Sequence, residues 1–206
     1  RGPMGIVETG ELRGESALTP EFRVSFPYVT TGQDKEQIKN GVVEKVTKYS
    51  VTMLFPKGAD LKVLLELERK VMTDKFGADQ TKWPKIRRPF RNQGEKAQKY
   101  KGYEEGAIFC TATSNQKPGL LNVTGKRITE PSEFYAGCYA VATVRAFYYK
   151  NTGNEGVAFG LSNIMKTRDG ESIGGRADAE TDFKALVSSV PAQPSASGLE
   201  DLFGAK

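Results

Sequence analysis

The chain has 206 residues, 38% hydrophobic and 10% aromatic, with a net charge of +5 and no histidine. That length suits one folded domain with a sizeable core plus tails, and the missing histidine excludes histidine-dependent triads and Cys/His zinc sites. Cys110 and Cys138 form no Cys-x-x-Cys pair, so they read as buried thiols in strands, not as a disulfide or thiolate-metal framework.

Residues 1–19 lack hydrophobic periodicity and are expected to form a flexible N-terminal arm, in which Arg1-Gly2-Pro3 ahead of Met4 reads as a remnant foreign to the protein. Residues 20–187 read as the folded domain. Phe22 to Val29 alternates large apolar with smaller residues, a strand that Pro27 puts at an edge or a bulge. Lys45 to Phe55 is a second strand, stopped by Pro56-Lys57-Gly58.

From Asp60 the period changes. Leu61, Leu64, Leu65, Leu67, Val71, Met72 and Phe76 recur at three- and four-residue spacing, which predicts one long helix opened by Asp60 and closed by a left-handed Gly77. Its apolar face should cover a sheet while Glu66, Glu68, Arg69 and Lys70 face water, an architectural role.

Residues 82–103 alternate cations with rings. Lys82, Lys85, Arg87, Arg88, Arg91, Lys96, Lys99 and Lys101 oppose only Glu95, while Trp83, Phe90, Tyr100 and Tyr103 supply π-faces. A single nucleic-acid strand presents both phosphates and unstacked bases to such a surface. The same composition also suits a solvated loop that Trp83 and Phe90 pin to the core.

Strand-like runs follow at 107–113, 120–124, 138–150 and 156–164, which with the single helix predict a mainly β, small Greek-key barrel with extended loops. If 138–150 is extended, Cys138, Ala140, Ala142, Val144, Ala146 and Tyr148 share one face, small enough for a barrel interior. Tyr139, Val141, Thr143, Arg145, Phe147 and Tyr149 share the other. That stripe serves either cross-strand aromatic packing or a ligand, and Arg145 within it calls for a carboxylate, a phosphate or a ring.

Residues 188–206 read as a flexible linker and an acidic, apolar tail. Leu199, Glu200, Asp201, Leu202 and Phe203 form either a short docking motif or a frayed end.

Enzymatic motifs are weak. Gly119 to Arg127 departs from a phosphate-binding loop, with five residues between its glycines and Arg127 where a hydroxyl belongs, and reads as a hairpin connection. Asp178, Glu180 and Asp182 suit an acidic first helical turn better than a magnesium site.

Taken together, Tyr49 to Lys57 (YSVTMLFPK), Pro131 to Cys138 (PSEFYAGC), Val144 to Tyr149 (VRAFYY), Gly156 to Lys166 (GVAFGLSNIMK) and Arg168-Asp169-Gly170 resemble a family of single-stranded DNA-binding proteins of tailed bacteriophages. The resemblance spans roughly Phe22 to Phe183. It implies an oligonucleotide-binding (OB-fold) barrel that coats single strands during phage replication, recombination or repair, with an acidic tail for partner proteins.

The expectation is a non-enzymatic binder of single-stranded DNA with little sequence preference and no cofactor. Charge and ring content nominate Trp83, Lys85, Arg87, Arg88, Arg91, Lys99, Tyr100, Lys101 and Tyr103, then Arg145, Phe147 and Tyr149. A homodimer is compatible with this reading. No apolar run approaches the ~18 residues of a membrane span, and the expected location is the cytoplasm of the infected bacterial host. The rival readings are a carboxylate- and magnesium-dependent nuclease or strand-processing enzyme, and a structural phage protein that contacts nucleic acid.

Overall fold

The computed structural model describes residues 3–174 and residue 186. Chain order is α1 (Pro3–Thr9), β1 (Glu11–Arg13), β2 (Ser16–Leu18), β3 (Phe22–Lys39), β4 (Val42–Leu54), α2 (Lys62–Phe76), β5 (Arg91–Asn92), β6 (Ile108–Ser114), β7 (Gly119–Leu121), β8 (Tyr139–Asn151) and β9 (Asn154–Arg168).

Strands β3, β4, β6, β9 and β8 close on themselves: β3 pairs with β4, β4 with β6, β6 with β9, β9 with β8, and β8 with β3. Within this ring the β6–β9 contact is parallel and the others are antiparallel. The fold is therefore mainly β, a closed five-stranded Greek-key barrel of the OB type, as expected. Closure removes the exposed edges that an open sheet would present.

Period-2 alternation sends one side chain in two inward. Val24, Val51, Met53, Ala112, Ala140, Ala142, Val144 and Phe159 fill the interior, and Leu64 and Leu67 of α2 join them. The small alanines of β8 let the opposite wall approach closely. Cys110 and Cys138 are free and buried in this core, where burial pushes both thiols up.

Helix α2 lies against β8 and β2. Asp60 accepts the Lys62 amide at 3.1 Å, and the Gly77 amide closes the last turn on the Thr73 carbonyl at 2.8 Å. Gly77 has φ 87° but an extended ψ of 172°, so the helix stops by turning outward and not through a left-handed cap. Glu68, expected in water, is buried because its carboxylate receives Arg88 from the basic segment.

Two segments differ from the sequence expectation. Residues 3–18, anticipated as part of a loose arm, form α1 and the β1–β2 pair, and β2 docks on β8 with Ala17 fully buried opposite Val144. Strands of three residues are too short to display alternation; they exist because a neighbouring strand supplies their hydrogen bonds. The β3–β4 hairpin is also longer than its apolar stretches, continuing as a two-stranded ribbon through charged residues to Asn40-Gly41. Both turn residues have positive φ, 52° and 77°, the signature of an Asn-Gly hairpin that the dipeptide itself announces.

Pro27 sits at a bulge. Between Ser25↔Thr52 and Tyr28↔Ser50 strand β3 carries one extra residue, and Phe26 takes a φ of 44° to accommodate it. Gly119 to Arg127 is a hairpin connection, with Leu121 bridged to Arg127 and the Asn122 side chain accepting the Thr124 and Lys126 amides.

Candidate nucleic-acid interface

Residues paired across neighbouring strands point to the same side of the sheet. On the outer side of β8, Arg145 stands opposite Gly160, Phe147 opposite Ala158, and Tyr149 opposite Gly156 of β9. These small partners leave Phe147 43% exposed and Tyr149 half-buried. The row continues around the barrel: Gly160 pairs with Thr113, Thr113 with Ser50, and Ser50 with Tyr28. The outer face thus has a floor of glycine, alanine and hydroxyl side chains, with Arg145 and Phe147 on one flank and Tyr28 on the other. Val141, assigned to this stripe by alternation, is instead buried, at the end of β8 that faces Met165.

The basic segment lies along the same face in two parts. Arg87 is a register partner of Gly156: its amide donates to the Glu155 carbonyl at 2.9 Å, and the Val157 amide donates to the Arg87 carbonyl at 2.9 Å. Gly156 therefore carries Arg87 on one side and Tyr149 on the other, two sequence-nominated residues that are distant in the chain. Arg91 is paired with Phe109 of β6. Counting back from the Thr113↔Gly160 pair puts Phe109 level with Gly156, so residues 87–91 wall one end of the floor.

Side-chain commitments sort the cations. Arg88 donates Nε and Nη2 to both Glu68 oxygens, at 2.6 and 2.8 Å, and that hydrogen bonding raises its pKa. Arg91 pairs with Glu95 at 2.6 Å and Lys101 with Glu171 at 2.6 Å. Lys99 lies 5.4 Å from the Tyr100 ring centroid. Lys85, Arg87 and Arg145 are exposed or at the exposed face and make no ion pair or side-chain hydrogen bond among the described residues.

The rings sort as sharply. Phe147 is exposed and Tyr149 half-buried, whereas Tyr103 is buried, shares a 3.0 Å hydrogen bond with Ser25, and packs edge-on against Phe109. Burial pushes its hydroxyl up. A ring in that position holds the loop to the barrel and cannot receive a base. Tyr100 is half-buried, in edge contact with Phe26 at 5.2 Å. Trp83 is half-buried, with its indole N–H donating to the Gly77 carbonyl at 2.8 Å.

The sequence reading missed the floor itself. Ser50, Thr111, Thr113, Ala158 and Gly160 carry neither charge nor ring, and the outward alternation of small residues in β4, β6 and β9 was the available signal. The tail residues Leu199, Glu200, Asp201, Leu202 and Phe203, and Asp178, Glu180 and Asp182, lie outside the described residues.

No curated protein sequence matches the chain. Among solved structures it is similar to the single-stranded DNA-binding protein from bacteriophage Enc34, with a TM-score of 0.63, 19% identity, and coverage of 85% of this chain and 94% of that one. A structure of the Enc34 protein in complex with single-stranded DNA gives a TM-score of 0.64 at 20% identity, covering 81% of this chain and 94% of that one. The single-stranded DNA binding protein gp2.5 of bacteriophage T7 gives a TM-score of 0.55 at 13% identity, covering 87% and 98% respectively. These likenesses establish the shared fold. The profile of the Enterobacter phage Enc34 single-stranded DNA-binding protein family matches residues 16–192, and the chain therefore belongs to that family.

Proposed function

We propose that this protein binds and coats single-stranded DNA without cutting it, with little sequence preference, along the outer face of the barrel. The observation that carries the reading is the meeting of Arg87, Gly156 and Tyr149 beside the floor that Phe147 and Arg145 flank. Family membership and the structural likeness to a protein bound to single-stranded DNA support it.

In this reading phosphates meet Lys85, Arg87 and Arg145, whose charges are not spent on carboxylates, and bases stack on Phe147 and Tyr149. Lys99 and the half-buried Tyr100 extend the contact at the loop end. A floor of small side chains admits any base, and stacking is indifferent to base identity, so discrimination is slight. The duplex, whose bases are already stacked, gains only the charge term.

The role is in replication, recombination or repair of phage DNA in the cytoplasm of the infected host, with residues 199–203 serving partner proteins. No described helix is long and apolar enough to cross a membrane.

A competition titration of single-stranded DNA, single-stranded RNA and duplex DNA at two salt concentrations tests the proposal. Single-stranded DNA should win, with log affinity falling against log salt at a slope of about −3 to −4 for roughly five phosphate contacts. A slope near zero, or equal affinity for duplex, would reject it. Incubating labelled single strands with magnesium or manganese tests the nuclease alternative, and the strands should return uncut.

A further inference from the structure

Helix α2 reads from its periodicity as architecture, yet its outer side is one wall of a cleft. Residues 80–88 form the other wall, and the space between encloses about 610 Å³. Leu65, Met72, Ile86 and Val157 make the lining apolar, and the Trp83 ring borders it. Leu65 is 44% exposed, unusual for a leucine unless something covers it.

The cleft is polarised for an anion attached to something flat. Arg69, Lys85, Arg87 and Arg88 line it; Glu66 holds Arg69 and Glu68 holds Arg88, which leaves Lys85 and Arg87 uncommitted and facing no free acid in the lining. The polar edge of Trp83 is satisfied by Gly77, so its N–H makes no demand on a ligand and its ring is held in place. Gln80 adds a side-chain amide, both donor and acceptor, with no hydrogen-bond partner among the described residues.

We propose that this cleft takes an unpaired nucleobase from the bound strand, seated against Trp83 and the side of α2, with its phosphate at Lys85 or Arg87. The inference rests on the single-stranded DNA reading above and adds a second station to it. Continuity selects this occupant: Arg87 lines the cleft and is also the register partner of Gly156 at the end of the barrel face, so one cationic residue joins the two stations, while Val157 beside it turns to the cleft side of β9. A pocket of this size and apolar lining with a few polar groups is typical for a small planar ligand. The amide of Gln80 can present either hydrogen-bonding sense, which suits a base of any identity.

Trp83 is the chain's single tryptophan, so its emission reports the cleft directly. The full chain is titrated with oligothymidylate while Trp83 emission and the anisotropy of labelled DNA are followed in parallel. Emission should be quenched along the same curve as the anisotropy. Trp83→Ala should weaken affinity about 5- to 150-fold, the range expected for losing one stacked base, and Trp83→Phe should weaken it less. Leu65→Glu, at an exposed helix position that leaves folding intact, should also weaken binding, and by more than Leu65→Lys, which loses the same apolar contact but adds no negative charge; melting curves check that each variant is folded. Binding at full affinity with unchanged emission and an indifferent Leu65→Glu would overturn the inference and leave the cleft to an acidic, apolar peptide, while the barrel-face reading would stand. Failure of the unaltered chain to bind any single strand would overturn both.

Discussion

Arg87 and Gly156 are backbone partners, joined by the Arg87 amide to the Glu155 carbonyl and the Val157 amide to the Arg87 carbonyl, each at 2.9 Å. The basic segment is thus not a loop hanging beside the barrel: at this point it extends the sheet, and its cation shares a face with Tyr149.

That junction requires glycine for space. A Cβ at position 156 would lie 2.6 Å from the Arg87 carbonyl oxygen and 2.8 Å from the Tyr149 hydroxyl. Gly156→Ala should force the basic segment off the strand, costing roughly 1 to 3 kcal/mol in urea unfolding, as overpacking does, and weakening single-stranded DNA binding. An unchanged unfolding midpoint together with unchanged affinity would contradict the junction's role.

Cations that look equivalent in sequence should differ in salt dependence. Arg87→Ala and Arg145→Ala should each make the salt slope shallower by about 0.7, the loss of one phosphate contact. Arg88→Ala should leave the slope nearly unchanged and destabilise the fold instead, by about 1 to 3 kcal/mol, because it strands the buried Glu68 carboxylate without its donor. Titrations at several salt concentrations and denaturant melts of the three variants separate the two behaviours. Equal slope losses at Arg87 and Arg88 would refute the assignment.

The aromatic residues should divide the same way. Tyr103→Phe removes the hydroxyl bonded to Ser25 and should cost about 0.5 to 1.5 kcal/mol of stability with no change in DNA affinity. Phe147→Ala, at an exposed ring, should weaken binding by about 1 to 3 kcal/mol and leave the melt nearly unchanged. Paired stability and binding measurements test both at once.

Acid should loosen the segment that follows β9. Hydrogen bonding from Lys101 lowers the pKa of Glu171, and hydrogen bonds from Lys166 and then Tyr135 lower that of Asp169. Both carboxyls therefore stabilise the fold above the ordinary carboxylate range near ~pH 4 and lose that contribution as pH falls through their lowered values. The expected result is faster amide exchange at Ile173, whose N–H donates to the Ala136 carbonyl at 3.0 Å, as pH drops, after correction for intrinsic exchange. Lys101→Ala should lose less stability on acidification than the unaltered chain, so that their melting curves converge in acid. Parallel curves would remove Glu171 from the account.

Much of the barrel was legible because burial writes a period into the chain. The leucines of α2 and the alternation in β4, β6 and β8 follow from which side chains must leave water. The ribbon beyond Tyr28 escaped notice since neither of its faces is buried, so that even Ile38, Val42 and Val43 stay exposed and write no period, leaving only Asn40-Gly41 to announce it. β1 and β2 escaped for the opposite reason: their partner, not their pattern, makes them strands. Within the candidate site, Arg145, Phe147, Tyr149 and Arg87 were found by charge and ring, while the floor beneath them was invisible to a search for conspicuous residues.

Periodicity, turn residues and the clustering of cations with rings are properties of neighbours in the chain, and they suffice for the fold class and for the kind of polymer such a surface suits. Which cation is spent on a carboxylate, which ring is sealed and which is open, and that Arg87 meets Tyr149 across a glycine depend on pairing between segments far apart in sequence. Hydrogen bonding and desolvation act between whatever groups folding brings within a few ångströms, and no local pattern encodes that meeting.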